Sequence, residues 1–161
     1  MHLKSFTNKT IKNLIKMNTH LHNVPEFTFS NALSAIAIGL IFISIMSLVK
    51  EPARQKVNAL LIAGAGAVYW SGGLGLWEFG FGALMIFVAY KGLKYKYFIG
   101  IGWLLHTGWD ILHHLYGNPI VYLAPTSSAG CAVCDPVIAI WFFFGAPTIW
   151  NIFKKQSVIN A

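Results

Sequence analysis

The sequence predicts an all-α membrane protein, a polytopic helix bundle of about five transmembrane helices in one domain. Three observations lead there. Of 161 residues, 56% are hydrophobic and 11% are charged, where an ordinary soluble domain carries about 25% charged residues. The mean hydropathy is +0.59. The charges sit in short clusters between long apolar runs, which is how membrane loops look.

Residues 1–27 are expected to form a polar, basic N-terminal tail carrying Lys4, Lys9, Lys12 and Lys16. Leu3, Phe6, Ile11, Leu14 and Ile15 give it the pattern of a weak interfacial helix at most. No small-x-small site follows the first apolar run, so the pattern is not that of a cleavable leader. Residues 28–155 are expected to form the transmembrane domain, and 156–161 a short C-terminal tail. The first span covers about Phe29–Val49, stopped by Lys50, Glu51, Pro52, Arg54 and Lys56. The second covers about Val57–Ser71, with Ala59, Ala63, Ala67 and Ser71 in a small-xxx-small stripe that permits close helix packing. Gly72 and Gly73 break the chain. The third span covers about Leu74–Tyr90, ended by Lys91 and Lys94, and the fourth about Tyr97–Tyr116. Gly117, Asn118 and Pro119 end the fourth. A loop is expected next, closing at Cys131–Pro136. The fifth span covers about Pro136–Phe153, with a kink at Pro147 and a stop at Lys154 and Lys155.

Alternating spans put Lys50, Arg54, Lys56, Lys91, Lys94, Lys96, Lys154 and Lys155 on one side. The loops around Gly72 and over 117–134 carry no Lys or Arg. Positive-inside bias then makes the lysine side cytoplasmic and puts the CxxC loop outside, in a bacterial inner or plasma membrane. The net charge of +7 is scattered over loops, not laid out as the continuous basic surface that phosphate tracking needs, so no nucleic-acid partner is expected. The expected partner is the lipid bilayer, with self-association into a homo-oligomer open to a chain of such short spans.

The chemistry concentrates on the fourth span. At about 100° per residue, His106, Asp110, His113 and His114 share one arc of roughly 100° on a helix. Aliphatic side chains fill the other side: Ile101, Leu104, Leu105, Ile111, Leu112 and Leu115. Ionisable groups inside a membrane are costly and mark function. Neutral imidazole and carboxylate suit Zn, Fe or Mn, so these four residues are the candidate metal ligands, with Zn or Fe the expected ion. Glu78, near the start of the third span, and Asp135, at the start of the fifth, lie toward the same lysine-free side. They are the candidate acid–base residues, able to activate a bound water or complete the ligand set. The competing account is a buried hydrogen-bond network or a proton path, in which Asp110 accepts from a histidine, Trp109 or Trp70. Haem ligation by a histidine is a further possibility.

Cys131-Ala-Val-Cys134 is the whole cysteine content. The pair is a candidate for redox chemistry, for metal binding or for a local disulfide in an oxidising compartment. Ser127 and Ser128 lie nearby without a nucleophile-elbow pattern.

The blocks HTGWDILHHLYGNPI (106–120) and PTSSAGCAVCDP (125–136) resemble a family of small bacterial integral membrane proteins of unknown function. That resemblance implies membrane location and a shared site, and no activity. A looser similarity, in residue type only, is to membrane hydrolases of the alkaline ceramidase and adiponectin-receptor type, which use His, Asp and Ser around zinc. The expected function is therefore a metal-dependent membrane enzyme, such as a hydrolase of a lipid-like substrate. The alternatives are a small proton-coupled transporter or carrier and a membrane thiol-redox protein.

Overall fold

The apolar runs of the sequence form five helices and no strand among the described residues: α1 (Phe29–Met46), α2 (Ala53–Ala67), α3 (Trp77–Gly92), α4 (Lys96–Tyr116) and α5 (Ser127–Phe143). This computed structural model describes residues 24–70 and 73–149. The expected tails lie outside those residues, save for 24–27, and so do Ser71 and Gly72 at the expected chain break. In neighbour order α1 packs on α5, α5 on α4, α4 on α3 and α2, and α2 on α3. α4, the helix with the His/Asp stripe, is thus wrapped by the three others that face it.

α1 is long and apolar enough to cross a membrane, and it is the one helix among those described that meets both conditions. Thr28 caps its first turn by accepting from the Asn31 N–H. Ser34 and Ser44 return their hydroxyls to the carbonyls of Ser30 and Leu40, so neither polar group is left bare on an apolar face. α2 and α3, with 15 and 16 residues, reach only about 23 Å at 1.5 Å per residue. α4 has 21 residues but carries His and Asp within its length.

The bundle closes on an apolar core that includes Ile62, Met85, Ile99, Ile138 and Phe142, and it also buries a polar group while exposing large apolar side chains. Leu33, Ile41, Leu60, Phe79, Ile86 and Leu104 are exposed, whereas Asn58, Glu78, His106, Asp110, His113, Ser128 and Asp135 are buried. The close α2–α3 crossing needs glycine. A Cβ on Gly66 would collide with Met85, and one on Gly82 with Trp70. The inward register of α2 is Ala59, Ile62, Gly66 and then Tyr69, so it overlaps the expected small-residue stripe only at Ala59.

α5 starts nine positions earlier than Pro136, the expected start of the fifth span, and ends ten positions before Phe153. The Ser-Ser-Ala-Gly run, which reads as loop by composition, is helical because its small side chains let α5 sit against its neighbours; Ser128 and Ala129 are buried. Pro136 lies inside the helix. The expected kink at Pro147 is replaced by a turn: Gly145 and Ala146 take φ of +83° and +51°, and Trp141 Nε1 donates to the Pro147 carbonyl at 2.9 Å.

The lysine-rich end is fastened by Glu51. Its carboxylate accepts from Arg54 Nε at 3.0 Å and lies 2.7 Å from Lys96 Nζ. Arg54 is buried, reaches Thr148 Oγ1 at 3.0 Å and stands over the Trp141 ring. Partial burial pushes the Glu51 carboxyl up, but the hydrogen bonds and charges of Lys96 and Arg54 outweigh it and hold the group below its ordinary value. A depressed carboxylate adds stability above its unfolded pKa of about 4.3 and loses it as pH falls through the lower folded value. Below about pH 4.3, unfolding midpoints of the wild type should therefore fall more steeply than those of Glu51→Gln.

Candidate metal centre

Three elements meet at His106. α2 ends at Ala67, which leaves the Ala65 carbonyl in its last turn with a lone pair to spare. His106 Nε2 stands 3.2 Å from that oxygen. A carbonyl can only accept, so Nε2 carries a proton, and the other ring nitrogen, Nδ1, faces two carboxylate oxygens that it meets as a donor when the ring is protonated or as a metal ligand when it is not. On that side Nδ1 is 2.8 Å from Asp135 Oδ2 on α5 and 3.1 Å from Asp110 Oδ2, one turn along α4. The donor atoms of His106, Asp110 and Asp135 all lie within 4.8 Å of one another, and all three residues are buried. This group could hold a metal ion.

The donor set fits such an ion. Metal–ligand bonds of about 2.0–2.2 Å place neighbouring donors roughly 3–3.5 Å apart, close to the observed spacings. Asp110 Oδ2 is fully buried and meets His106 Nδ1 at 3.1 Å outside hydrogen-bond geometry, an arrangement that is expensive for a carboxylate unless a cation, the protonated imidazole or a metal ion, meets it. The histidine is oriented through its far nitrogen by a backbone carbonyl, the usual support of a ligating imidazole.

Tyr69 supports the carboxylate in the same way. Its hydroxyl donates to Asp110 Oδ1 at 2.6 Å and lies 3.0 Å from Ser128 Oγ. With one proton to give, it donates to the carboxylate and accepts from the serine. Outer-shell partners of this kind are worth about 10- to 100-fold in metal affinity. Tyr69→Phe should weaken metal binding by about that factor while keeping the aromatic packing, as read by competition with a chromogenic chelator.

A second polar group lies beyond Tyr69. Glu78 Oε1 accepts from the Leu74 N–H at 3.0 Å and Oε2 from Trp109 Nε1 at 3.1 Å. His113 Nε2 sits 3.1 and 3.2 Å from the two oxygens. The His113 ring stacks on Tyr69 with centroids 3.7 Å apart, and Trp109 stacks on Phe81 at 4.3 Å.

The expected site residues are therefore divided. His106, Asp110 and Asp135 come together. His113 turns to Glu78 in a separate cluster. His114 is half-buried beside a hollow that it lines with His113, Gly117 and Pro119. Cys131 and Cys134 are free thiols on α5, half-buried and buried, and both line a groove against α1. Tyr69 and the Ala65 carbonyl escape a motif search. The sign that points to Tyr69 is its place ten residues after Ala59, on the packing register of α2.

An all-α bundle closed around one imidazole and two carboxylates is the class of protein that this geometry defines. The chain belongs to DUF6010, a family of unknown function, whose model matches residues 30–148. The match includes both distinctive blocks of the sequence and agrees with the expected membership of an uncharacterised family. No curated protein and no solved structure matches the chain.

Proposed function

We propose that this chain is a polytopic membrane protein that binds one divalent ion, zinc or iron, through His106, Asp110 and Asp135, and that it is a metal-dependent membrane enzyme acting on a lipid-like substrate. The observation that carries the proposal is the buried convergence of two carboxylates, Asp110 and Asp135, on one imidazole nitrogen of His106, whose ring is held from its far side by the Ala65 carbonyl. Two carboxylates and one imidazole offset the charge of a divalent cation, which removes the penalty of burying them.

The membrane part rests on the large apolar side chains exposed along the helices together with the polar group buried among them, a combination that suits a lipid solvent. In this reading all five helices span or line the bilayer, the shorter α2 and α3 being covered by their partners. The lysine-rich end, with Glu51, Arg54 and Lys96, faces the cytoplasm.

A bound ion of this type polarises a carbonyl and lowers the pKa of water, which is the chemistry of hydrolysis. The residues of the chain supply the rest. Asp110 and Asp135 hold the charge, Ala65 fixes the tautomer of His106, and Tyr69 fixes the rotation of Asp110. Asp135, expected as an acid–base group, is a ligand in this reading. Glu78 and His113 form a supporting cluster.

A second reading has a specific observation behind it. His106, Asp110 and Asp135 are 4%, 0% and 3% exposed, and an imidazole between two carboxylates is also an arrangement that passes a proton. Elemental analysis of purified protein separates the two. Near-stoichiometric zinc or iron, lost in His106→Ala and kept in Lys94→Ala, is the result expected of the metal protein. No metal after reloading would favour the proton-coupled carrier, to be sought as flux in liposomes. Loss of activity in Cys131→Ser with His106 dispensable would favour thiol-redox chemistry.

A further inference from the structure

α1 and α5 do not close on each other along their whole length. They meet at Gly39, where an added Cβ would stand 3.2 Å from the Cys134 carbonyl and 3.4 Å from its Sγ. Toward the start of both helices they part, and the gap is a groove of about 350 Å³, within the size range of small-molecule sites. Nearest the Gly39 contact its lining is apolar, with Ala35, Ile38 and Cys134. Its mouth carries Asn31, Ser34, Thr126 and Ser127. Among the described residues no charged side chain lines it.

The groove also borders the metal centre. Cys131 lines it, and on α5 Ser128, Cys131 and Asp135 follow at i, i+3 and i+7, one stripe of the helix. Ser128 and Asp135 are the two α5 residues that touch the Tyr69–Asp110–His106 group. Cys131 therefore stands between the groove and the centre.

From these features we infer that the α1–α5 groove binds the hydrocarbon chain of a neutral lipid whose uncharged head, an ester, amide or alcohol, lies at the Asn31–Ser127 mouth. The inference rests on the membrane reading above and names the substrate class for the same centre. Three observations select that occupant. The groove opens beside α1, whose most apolar stretch has only 17% of its residues buried. Its polar groups are hydroxyls and an amide, which hydrogen-bond neutral heads. Among the described residues it offers no lysine or arginine to match a phosphate or a fatty-acid carboxylate.

The test uses the full chain in lipid nanodiscs with a photoreactive monoacylglycerol bearing a diazirine in its chain. A photoreactive phosphatidylglycerol at the same mole fraction serves as the anionic comparison. Adducts are mapped by mass spectrometry. The expected result is labelling concentrated on 31–38 and 124–134 by the neutral probe and not by the anionic one. Ser34→Phe and Ala35→Phe each take up the room of two or more methylenes of the bound chain, so each should lower that labelling about tenfold. Ser34 is on the exposed side of α1, which keeps one variant clear of the packed interface. Labelling spread evenly onto Ile41, Leu60 and Ile86 would overturn the inference, as would equal labelling by the anionic probe or no loss in either variant. Metal content measured on the same samples keeps the two readings apart. Labelled but metal-free protein overturns the metal centre alone, and metal-loaded protein without groove labelling overturns the groove alone.

Discussion

Asp110→Asn is expected to abolish metal binding and, with it, all metal-dependent stability, while leaving the metal-free protein at least as stable as the metal-free wild type. The carboxylate is the residue most committed to the centre. Oδ1 accepts from Tyr69 at 2.6 Å and Oδ2 faces His106 Nδ1 at 3.1 Å. Asparagine keeps the first contact, since its oxygen still accepts from the phenol, but it loses the charge and turns an NH₂ toward the ion's place. A ligand at a hundredfold excess over its dissociation constant stabilises by about 2.7 kcal/mol. For a chain of this size that is about 5–10 °C in the unfolding midpoint. The wild type should show this rise on adding zinc or iron and lose it to a chelator, and Asp110→Asn should show neither. Without metal, Asp110 and Asp135 bring two carboxylates to one nitrogen, so neutralising one relieves repulsion. A hydrogen-bonded proton network predicts the opposite pattern: Asp110→Asn would then be less stable than wild type with chelator present, and metal would change nothing.

How far the sequence could lead to this centre depends on the kind of regularity involved. His106 and Asp110 are four apart on one helix, so their meeting follows from helix geometry. Asp135 lies 29 residues beyond His106, on another helix, and periodicity shows only that it sits toward the same end of the bundle. His113 and His114 differ by one residue, and their common arc does not say which turns inward. The structure answers through Glu78, which takes His113 and leaves His114 at the rim. The five helices are legible as apolar runs, but the first turns of α5 are not, because Ser, Ala and Gly are read as loop formers unless a neighbour packs on them. Pro136 misleads for a related reason. Proline often opens a helix, yet here it lies inside one already begun nine residues earlier. Tyr69 carries no motif at all, and only the packing register of α2 gives it away.

The second large effect belongs to Glu78. Glu78→Leu should lower stability by about 3–5 kcal/mol, the usual result of removing one partner from a buried charged network. The residue is 1% exposed and serves three donors: the Leu74 N–H, Trp109 Nε1 and His113 Nε2. Leucine fills a similar volume but accepts no hydrogen bond, so each donor is left in an apolar surrounding at about 1–3 kcal/mol. Gln offers one acceptor oxygen in place of two and should fall between wild type and Leu. The loss also bears on the role of the cluster. Because His113 stacks on Tyr69 and Tyr69 holds Asp110, disturbing Glu78 loosens the centre only through that ring stack. Glu78→Gln should then still bind its ion, with weaker affinity, in protein that unfolds at lower temperature. If instead Glu78→Gln kept both its stability and its metal but lost turnover of a lipid substrate, Glu78 would be an acid–base group of the reaction, and the supporting role assigned to it here would be wrong.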